Sequence, residues 1–104
     1  MIKVSVLYPN DEGARFDMAY YVDKHMTMVR QVLGEAMTRF EIDEGLSGAA
    51  PGSKPSYRAA VHMYFSSTEV FYAAFGPHAK GIMNDVGNYT DIRPVTQISI
   101  VNGS

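Results

Sequence analysis

The chain has 104 residues, a formal net charge of −2 at pH 7 and no cysteine. This length is typical of one domain with a single modest core, so we expect residues 1–104 to form one domain. The scattered Lys and Arg residues exclude a basic nucleic-acid-binding stripe, and the missing cysteines exclude disulfides, thiolate nucleophiles and cysteine-based metal sites. No segment has the features of a signal peptide or a membrane span, so we expect a cytoplasmic protein without a membrane partner.

An amphipathic strand and an amphipathic helix are predicted at the start of the chain. Apolar side chains recur at every second position over residues 2–8, which predicts a strand with one apolar face. The turn-forming sequence at 9–13 ends this strand. Residues 16–33 then carry apolar side chains at helical spacing, and Gly34 is typical of the position just past a helix end.

The helix over residues 16–33 carries a histidine near the centre of its apolar face. At about 100° per residue this face is formed by Met18, Tyr21, Val22, His25, Met28, Val29, Val32 and Leu33. A buried imidazole needs a hydrogen-bond partner or a function, because burying an unpaired polar group costs free energy. His25 is therefore either a core histidine bonded to a backbone carbonyl or a histidine that faces a ligand pocket between helix and sheet.

Two further strands flank the segment of the chain that is rich in Gly, Ser and Pro. Residues 36–44 alternate as a strand whose polar face predicts an edge position or solvent exposure. Residues 45–56 form either a long hairpin connection or a lid over a site. Residues 57–65 show the clearest strand pattern in the chain.

A kinked second helix is predicted after these strands. Ser66 and Glu69 have the spacing of a capping box, which predicts Ser66 as the N-cap. Pro77 cannot continue a helix but is well suited to begin one, so we expect two helical pieces over about 67–75 and 77–86.

With a last strand at 95–101, the element order is β-α-β-β-α-β. This order predicts a ferredoxin-like α+β sandwich, with two helices on one face of a four-stranded antiparallel sheet. The other sheet face would carry Ser5, Leu7, His62, Tyr64, Gln97, Ser99 and Val101. This mixture is too apolar and aromatic to be left in water, so we expect a homodimer that packs this face against itself.

The three histidines do not have the spacing of a metal site. His25, His62 and His78 include no pair with helical zinc-ligand spacing, and Asp23 and Asp85 are expected to point elsewhere. We therefore expect no metal. His62 shares a strand face with the predicted dimer interface and is interpreted as an interface residue that is hydrogen-bonded across the dimer.

A small set of His and Tyr side chains remains for chemistry. Tyr21 lies one helical turn before His25, and His78 lies at the predicted kink, six residues after Tyr72. We expect His25 to face an apolar cavity with a lowered pKa, and His78 to reach its mouth or wall. The residues expected to bind substrate in this cavity are Val4, Val6, Val61, Met63 and Phe75.

Other common catalytic patterns are missing. Ser66 and Ser67 resemble helix caps, and no nucleophile elbow, phosphate-binding loop or suitably spaced carboxylate pair occurs. The remaining chemistry is proton transfer or carbonyl polarisation by His and Tyr in an apolar pocket.

Three segments of the chain carry recognisable motifs. Residues 16–29 contain Tyr20-Tyr21 followed by His25, residues 71–78 end in Gly76-Pro77-His78, and residues 83–91 run from Met83 to Asp91. The first segment resembles the EthD family, named for ethyl tert-butyl ether degradation, and the other two are similar to the second half of that family's pattern. Thr27 stands where the family pattern usually has proline, which predicts a less bent turn after His25. With the first strand included, the resemblance covers nearly the whole chain.

The resemblance implies a dimeric α+β barrel with a pocket between the helices and the sheet of each subunit. EthD-like proteins accompany the degradation of ethers and other xenobiotics and often carry a general oxidoreductase label. The wider group includes cofactor-free polyketide cyclases, quinone-forming monooxygenases, muconolactone isomerases and haem-binding enzymes. The spacing of Tyr72 and His78 is also similar to the Tyr/His pair of a plant polyketide cyclase of this group.

Two classes of function remain open from the sequence. The first is a cofactor-free oxidoreductase, isomerase or cyclase that uses His25 or His78, with Tyr21 and Tyr72, on a small apolar compound. The second is a binding protein or carrier that holds a hydrophobic intermediate for a partner oxygenase. Haem binding is the least favoured alternative, and no other cofactor is expected.

Overall fold

The computed structural model describes residues 1–103, in which four antiparallel strands form one sheet. The strands are β1 (Ile2–Pro9), β2 (Arg39–Glu44), β3 (Tyr57–Phe65) and β4 (Val95–Ile100). Their order across the sheet is β2-β3-β1-β4, so β1 and β3 are central and β2 is an edge strand, as predicted from its polar face. With the helices described next, this confirms the ferredoxin-like α+β architecture.

The first helix, α1, runs over residues 18–33 and contains a π-helical segment that the sequence did not reveal. An α-helical turn at Met18–Tyr20 is followed by the π segment Tyr21–His25 and by an α-helix at Met26–Leu33. The helix ends at Gly34 as predicted, where φ is +55° and ψ is −138°. Only glycine adopts this backbone conformation without strain.

The π segment changes which side chains of α1 are buried. Val22, predicted on the apolar face, is 41% exposed, whereas Met26, which lay outside the predicted face, is 2% exposed. A π-helical turn holds more residues than an α-helical turn, so every later side chain is rotated relative to ideal α-helical spacing. His25 remains buried, at 4% exposure.

The second helical region is kinked where the sequence predicted. Helix α2 (Thr68–Phe75) and helix α3 (Ala79–Asp85) are joined by a 3₁₀ turn at Gly76–His78, and a second 3₁₀ turn follows at Val86–Asn88. Pro77 lies in the first of these turns, where its missing N–H group costs no helical hydrogen bond.

The cap of α2 is Ser67 rather than Ser66. The Ser67 hydroxyl accepts a hydrogen bond from the Val70 backbone N–H at 3.2 Å. The prediction of Ser66 as the N-cap, made from the spacing of Ser66 and Glu69, is therefore wrong by one residue. Ser66 is exposed and precedes the cap.

The core lies between the helices and one face of the sheet. Val4, Val61 and Phe65 contribute from β1 and β3, and Val29 and Leu33 pack on them from α1. The side chains on the opposite face of β1 and β3 point away from both helices, since neighbouring residues of a strand face opposite ways.

The segment at 45–56 connects β2 to β3 as a long hairpin loop, which confirms one of its two interpretations. The Gly45 N–H donates to the Arg58 carbonyl at 2.8 Å and continues the strand pairing into the loop. The residues of this loop take no part in the cavity between the helices and the sheet, so a lid role over this cavity is not supported.

Among residues 1–103 we find no helix that is long and apolar enough to cross a membrane.

The backbone conformation at Gly34 predicts a large penalty for any side chain there. Gly34→Ala should lower the free energy of unfolding by about 1–3 kcal/mol, because alanine would hold a strained φ of +55°. Gly81→Ala is the matched control, since a Cβ at Gly81 meets nothing within 4 Å and this residue lies inside α3. The control should raise stability by up to about 1 kcal/mol, measured by urea denaturation, and equal effects of both variants would contradict this account.

Candidate functional site

An apolar cavity of about 550 Å³ lies between the helices and the sheet. Its wall includes all five residues predicted to bind substrate, which are Val4, Val6, Val61, Met63 and Phe75. His25, Tyr21 and Tyr72 also line it. Among the described residues of the wall, none is Asp, Glu, Lys or Arg, so the cavity offers no charged partner to a ligand.

His25 is bonded to a carboxylate, contrary to the sequence prediction. Asp85, expected to point elsewhere, lies at the end of α3 with its Oδ2 atom 2.9 Å from His25 Nδ1. The interpretation of His25 as a core residue bonded to a backbone carbonyl is also wrong, because its partner is this side chain. Since an ionised carboxylate only accepts hydrogen bonds, Nδ1 carries the proton and Nε2 is the basic nitrogen of the neutral ring.

Two further hydrogen bonds fix the Asp85 carboxylate. The Tyr20 hydroxyl donates to Oδ1 at 2.7 Å, and the Asn88 amide donates to the same oxygen at 2.8 Å. Asp85 thus accepts from α1 on one side and from the 3₁₀ turn after α3 on the other. Its position is set by both helical regions that enclose the cavity.

The pKa values of the two partners are shifted in ways that keep the imidazole neutral and the carboxylate ionised. Burial lowers the pKa of His25 below 6.5, and the bond to Asp85 opposes this shift only in part. Burial alone would raise the pKa of Asp85, but the hydrogen bonds from Asn88, His25 and Tyr20 outweigh it and lower the pKa. At pH 7 His25 can therefore accept a proton.

A chain of hydroxyl groups continues from the other ring nitrogen. The Tyr89 hydroxyl lies 3.5 Å from His25 Nε2, a long contact, and 2.6 Å from the Tyr8 hydroxyl. Tyr8 lines the cavity, whereas Tyr89 is wholly buried behind it. Burial raises the pKa of the Tyr8 and Tyr89 hydroxyls, so both are protonated at neutral pH.

Tyr21 is packed firmly but its hydroxyl is unpaired. Its ring stacks on that of His25 with 5.6 Å between centroids and 14° between planes, and it contacts Phe16 edge to face at 5.2 Å. The side chain is wholly buried, and its oxygen has no hydrogen-bond partner among the described residues. The π segment brings Tyr21 and His25 to the same wall of the cavity.

His78 does not lie where the sequence placed it. It is exposed and lines an open groove of about 500 Å³ on the outer side of the helices, with Lys24 and Asp85. The predicted position at the mouth or wall of the apolar cavity is therefore wrong. Tyr72 lines that cavity and is 59% exposed, so Tyr72 and His78 border different depressions.

The sequence reasoning missed Asp85, Tyr89 and Tyr8 as members of the site. Asp85 and Tyr89 both lie in the segment at 83–91 that resembles the EthD family. Asp85 and Tyr89 are four residues apart, a spacing that could have indicated that they face the same way. Their contact with His25 could not be predicted, because the approach of α3 to α1 depends on the kink at Gly76–His78. Tyr8 was assigned only to an apolar strand face.

A second histidine cluster lies on the outer face of the sheet. His62 Nδ1 is 2.8 Å from the Ser5 hydroxyl, and His62 Nε2 is 3.2 Å from an Asp43 carboxylate oxygen. These residue types also form hydrolase triads, but Ser5 lies in β1, whose backbone is paired with β3 and β4. No free N–H groups are left beside Ser5 for an oxyanion, so this cluster is interpreted as structural.

No three His, Asp or Glu side chains within residues 1–103 lie close enough together to hold a metal ion. The arrangement at His25 is instead a single base oriented by a carboxylate. A ligand of this cavity would meet aliphatic and aromatic groups on most sides.

Comparison with known proteins shows the same fold in several solved structures. The crystal structure of an EthD-like protein from Ralstonia eutropha has 48% identity and a TM-score of 0.92, covering 99% of this chain and 95% of that one. An EthD family protein from Bacillus halodurans has 17% identity and a TM-score of 0.66, covering 97% and 98%. A DABB family protein with a ferredoxin-like fold from Mesorhizobium loti has 12% identity and a TM-score of 0.58, covering 98% and 97%.

Family assignment rests on sequence as well as fold. Among curated protein sequences, none matches this chain significantly. A family model, the EthD domain, matches residues 12–93, which include α1, the kink and the segment with Asp85 and Tyr89. The chain belongs to the EthD family.

Proposed function

We propose that this EthD-family protein binds a small apolar organic molecule and removes a proton from it, with His25 as the general base and no cofactor. The observation that carries the proposal is an imidazole in the wall of an apolar cavity, with its Nδ1 atom 2.9 Å from Asp85 Oδ2. A base of lowered pKa beside a ligand cavity is a common mark of a functional site.

Asp85 would act as a positioning residue in this chemistry. Its bond to Nδ1 holds the ring with Nε2 free of a proton, and its charge stabilises the imidazolium that forms when Nε2 accepts one. The long 3.5 Å contact from Tyr89 to Nε2 leaves this nitrogen weakly engaged in the free protein. The bound proton can later return to the ligand or pass to water.

The substrate that best suits this cavity and base is an apolar compound with an acidic C–H or O–H group, such as a ketone or a phenol. A volume of about 550 Å³ accommodates a compound with one or two rings. A charged compound would lose its hydration without gaining a counter-ion in this wall. The family's association with ether and xenobiotic degradation supports a role in the catabolism of such compounds.

A carrier function is the second candidate, and the rim of the cavity favours it. Tyr72 and Met83, both in the cavity wall, are 59% and 67% exposed. An exposed apolar rim suits the handover of a hydrophobic intermediate to a partner oxygenase. Under this alternative His25 contributes to the shape of the cavity and not to turnover.

The titration of His25 tests the electrostatic basis of the proposal. By NMR, His25 should titrate below 6.5, and Asp85→Asn should lower its pKa further because the carboxylate that favours the imidazolium is removed. The His25 signal is assigned by its loss in His25→Gln. A His25 pKa at or above 6.5 would contradict the account.

The same shift fixes the direction of a pH effect on stability. Protonation is disfavoured in the folded state, so the unfolded chain binds more protons just below pH 6.5. The contribution of His25 to stability is therefore complete above pH 6.5 and is lost as the pH falls through the lowered pKa. In urea denaturation the wild type should lose stability relative to His25→Gln as the pH falls through this range, and the difference between the two should be constant above it.

Proton abstraction is tested by deuterium exchange into ketones of suitable size, such as 2-acetylnaphthalene, in D₂O. His25→Gln should reduce the protein-dependent exchange rate about 100-fold or more, because general-base catalysis contributes about that factor, and should change ketone affinity little. His78→Gln is the matched control and should retain the rate, since His78 lines the outer groove. Binding of the ketone without any exchange would favour the carrier, and equal loss in both variants would contradict a specific role of His25.

We further propose that the protein is a homodimer formed through the outer sheet face. Both helices pack on the other face, and Leu7 and Val95 are left on the outer one, where Val95 is 52% exposed. Tyr64 lies on the same face, 3.1 Å from Glu41 and stacked with Arg39 at 4.2 Å. Tyr64 is already only 8% exposed in the single chain, so a second copy would mainly bury Leu7 and Val95 around it in a self-complementary interface.

Light scattering at micromolar concentration should give about twice the chain mass of 11.5 kDa. Leu7→Lys and Val95→Lys should each weaken the dimer about tenfold or more, because each would bring a charge into the interface and remove its hydration. Ala73→Lys adds the same charge to an exposed position of α2 and should leave the dimer intact. A wild-type mass of one chain would overturn the dimer proposal.

A further inference from the structure

The hydroxyl group of Tyr21 is a buried donor without a well-formed hydrogen bond in the folded chain. Its side chain has no exposed surface, and among the described residues its oxygen has no partner at hydrogen-bond distance and angle, although the Tyr8 hydroxyl lies near enough to affect its pKa. A buried hydroxyl without a partner destabilises a protein, and phenylalanine would fill the same space without this cost. The position of this hydroxyl in the cavity wall suggests what it is retained for.

The other polar groups of the wall are already committed or lie near solvent. Tyr8 is paired with Tyr89 at 2.6 Å, and His25 is paired with Asp85 at 2.9 Å. Tyr72 and Thr96, which also line the cavity, are exposed. The Tyr21 hydroxyl is therefore the donor that the buried part of the cavity offers to a ligand.

The protonation state of Tyr21 suits a donor. Burial, and then the neighbouring Tyr8 hydroxyl, raise the pKa of Tyr21, so its proton is retained at neutral pH. Its ring is held between His25 and Phe16 and cannot easily turn away.

We propose that Tyr21 donates a hydrogen bond to the carbonyl oxygen of a neutral apolar ligand, and thereby sets the ligand class and orientation in this cavity. The carbonyl would lie at the buried end, beside the stacked ring of His25, with the apolar body against the Val, Met and Phe side chains of the wall. This inference rests on the proposed function only in assuming that the cavity binds a small molecule.

The test compares four ligands of nearly the same shape by calorimetric titration. 2-Acetylnaphthalene carries the carbonyl, 2-methoxynaphthalene an ether oxygen, 2-ethylnaphthalene no acceptor, and 2-naphthoate a charge. The ketone should bind about tenfold more tightly than the hydrocarbon, as one neutral hydrogen bond implies, and more tightly than the ether. The carboxylate should bind about tenfold more weakly than the ketone or worse, since the wall holds no cation.

Tyr21→Phe should abolish the preference for the ketone and leave the affinity for 2-ethylnaphthalene unchanged or higher. Tyr57→Phe is the matched control, since it removes the hydroxyl of an exposed tyrosine that does not line the cavity, and it should keep the preference. A ketone preference that survives in Tyr21→Phe would overturn the inference, as would a stronger preference for the ether. Those two outcomes would leave the proposed function standing. Failure of all four compounds to bind would instead count against both the inference and the proposed function.

Thermal unfolding of the free protein gives a readout that needs no ligand. Tyr21→Phe should keep or raise the Tm, whereas Tyr89→Phe should lower it by breaking the 2.6 Å bond to Tyr8. A lower Tm for Tyr21→Phe would show that its hydroxyl is bonded within the fold, and this would overturn the inference.

Discussion

The hydrogen bond between His25 and Asp85 is the interaction on which the rest of the site depends. It joins the first helix to the end of α3, and Tyr20 and Asn88 hold the carboxylate from both sides. A buried imidazole without this bond would have a lower pKa still and no preferred ring nitrogen. The same contact thus fixes the position of two helical regions, the tautomer of the base and one end of the cavity.

The fold and the residues of the cavity wall could be predicted from the sequence because they depend on local periodicity. Alternation placed Val4, Val6, Val61 and Met63 on one sheet face, and the order of the elements predicted the ferredoxin-like sandwich. The partner of His25 could not be predicted in this way. Asp85 reaches it only because the turn at Gly76–His78 redirects the chain, and the angle of such a turn is not encoded in any local period.

The errors on the first helix have a single physical cause. The prediction assumed about 100° per residue, but the π segment Tyr21–His25 winds more slowly. Met26 is therefore buried in place of Val22, while Tyr21 and His25 still stack at 5.6 Å. The irregular turn lies at the residues that face the cavity, where a site that needs a particular side-chain geometry most often departs from ideal structure.

The polar groups of the cavity differ in how much the fold itself needs them. Tyr8 and Tyr89 satisfy each other at 2.6 Å, and His25 and Asp85 do the same at 2.9 Å, so these pairs contribute to stability as well as to any chemistry. The Tyr21 hydroxyl forms no such hydrogen bond with the described residues. Within one buried cluster, the group that stability does not require is therefore the one whose presence a ligand best explains, and it lies on the same wall as the base.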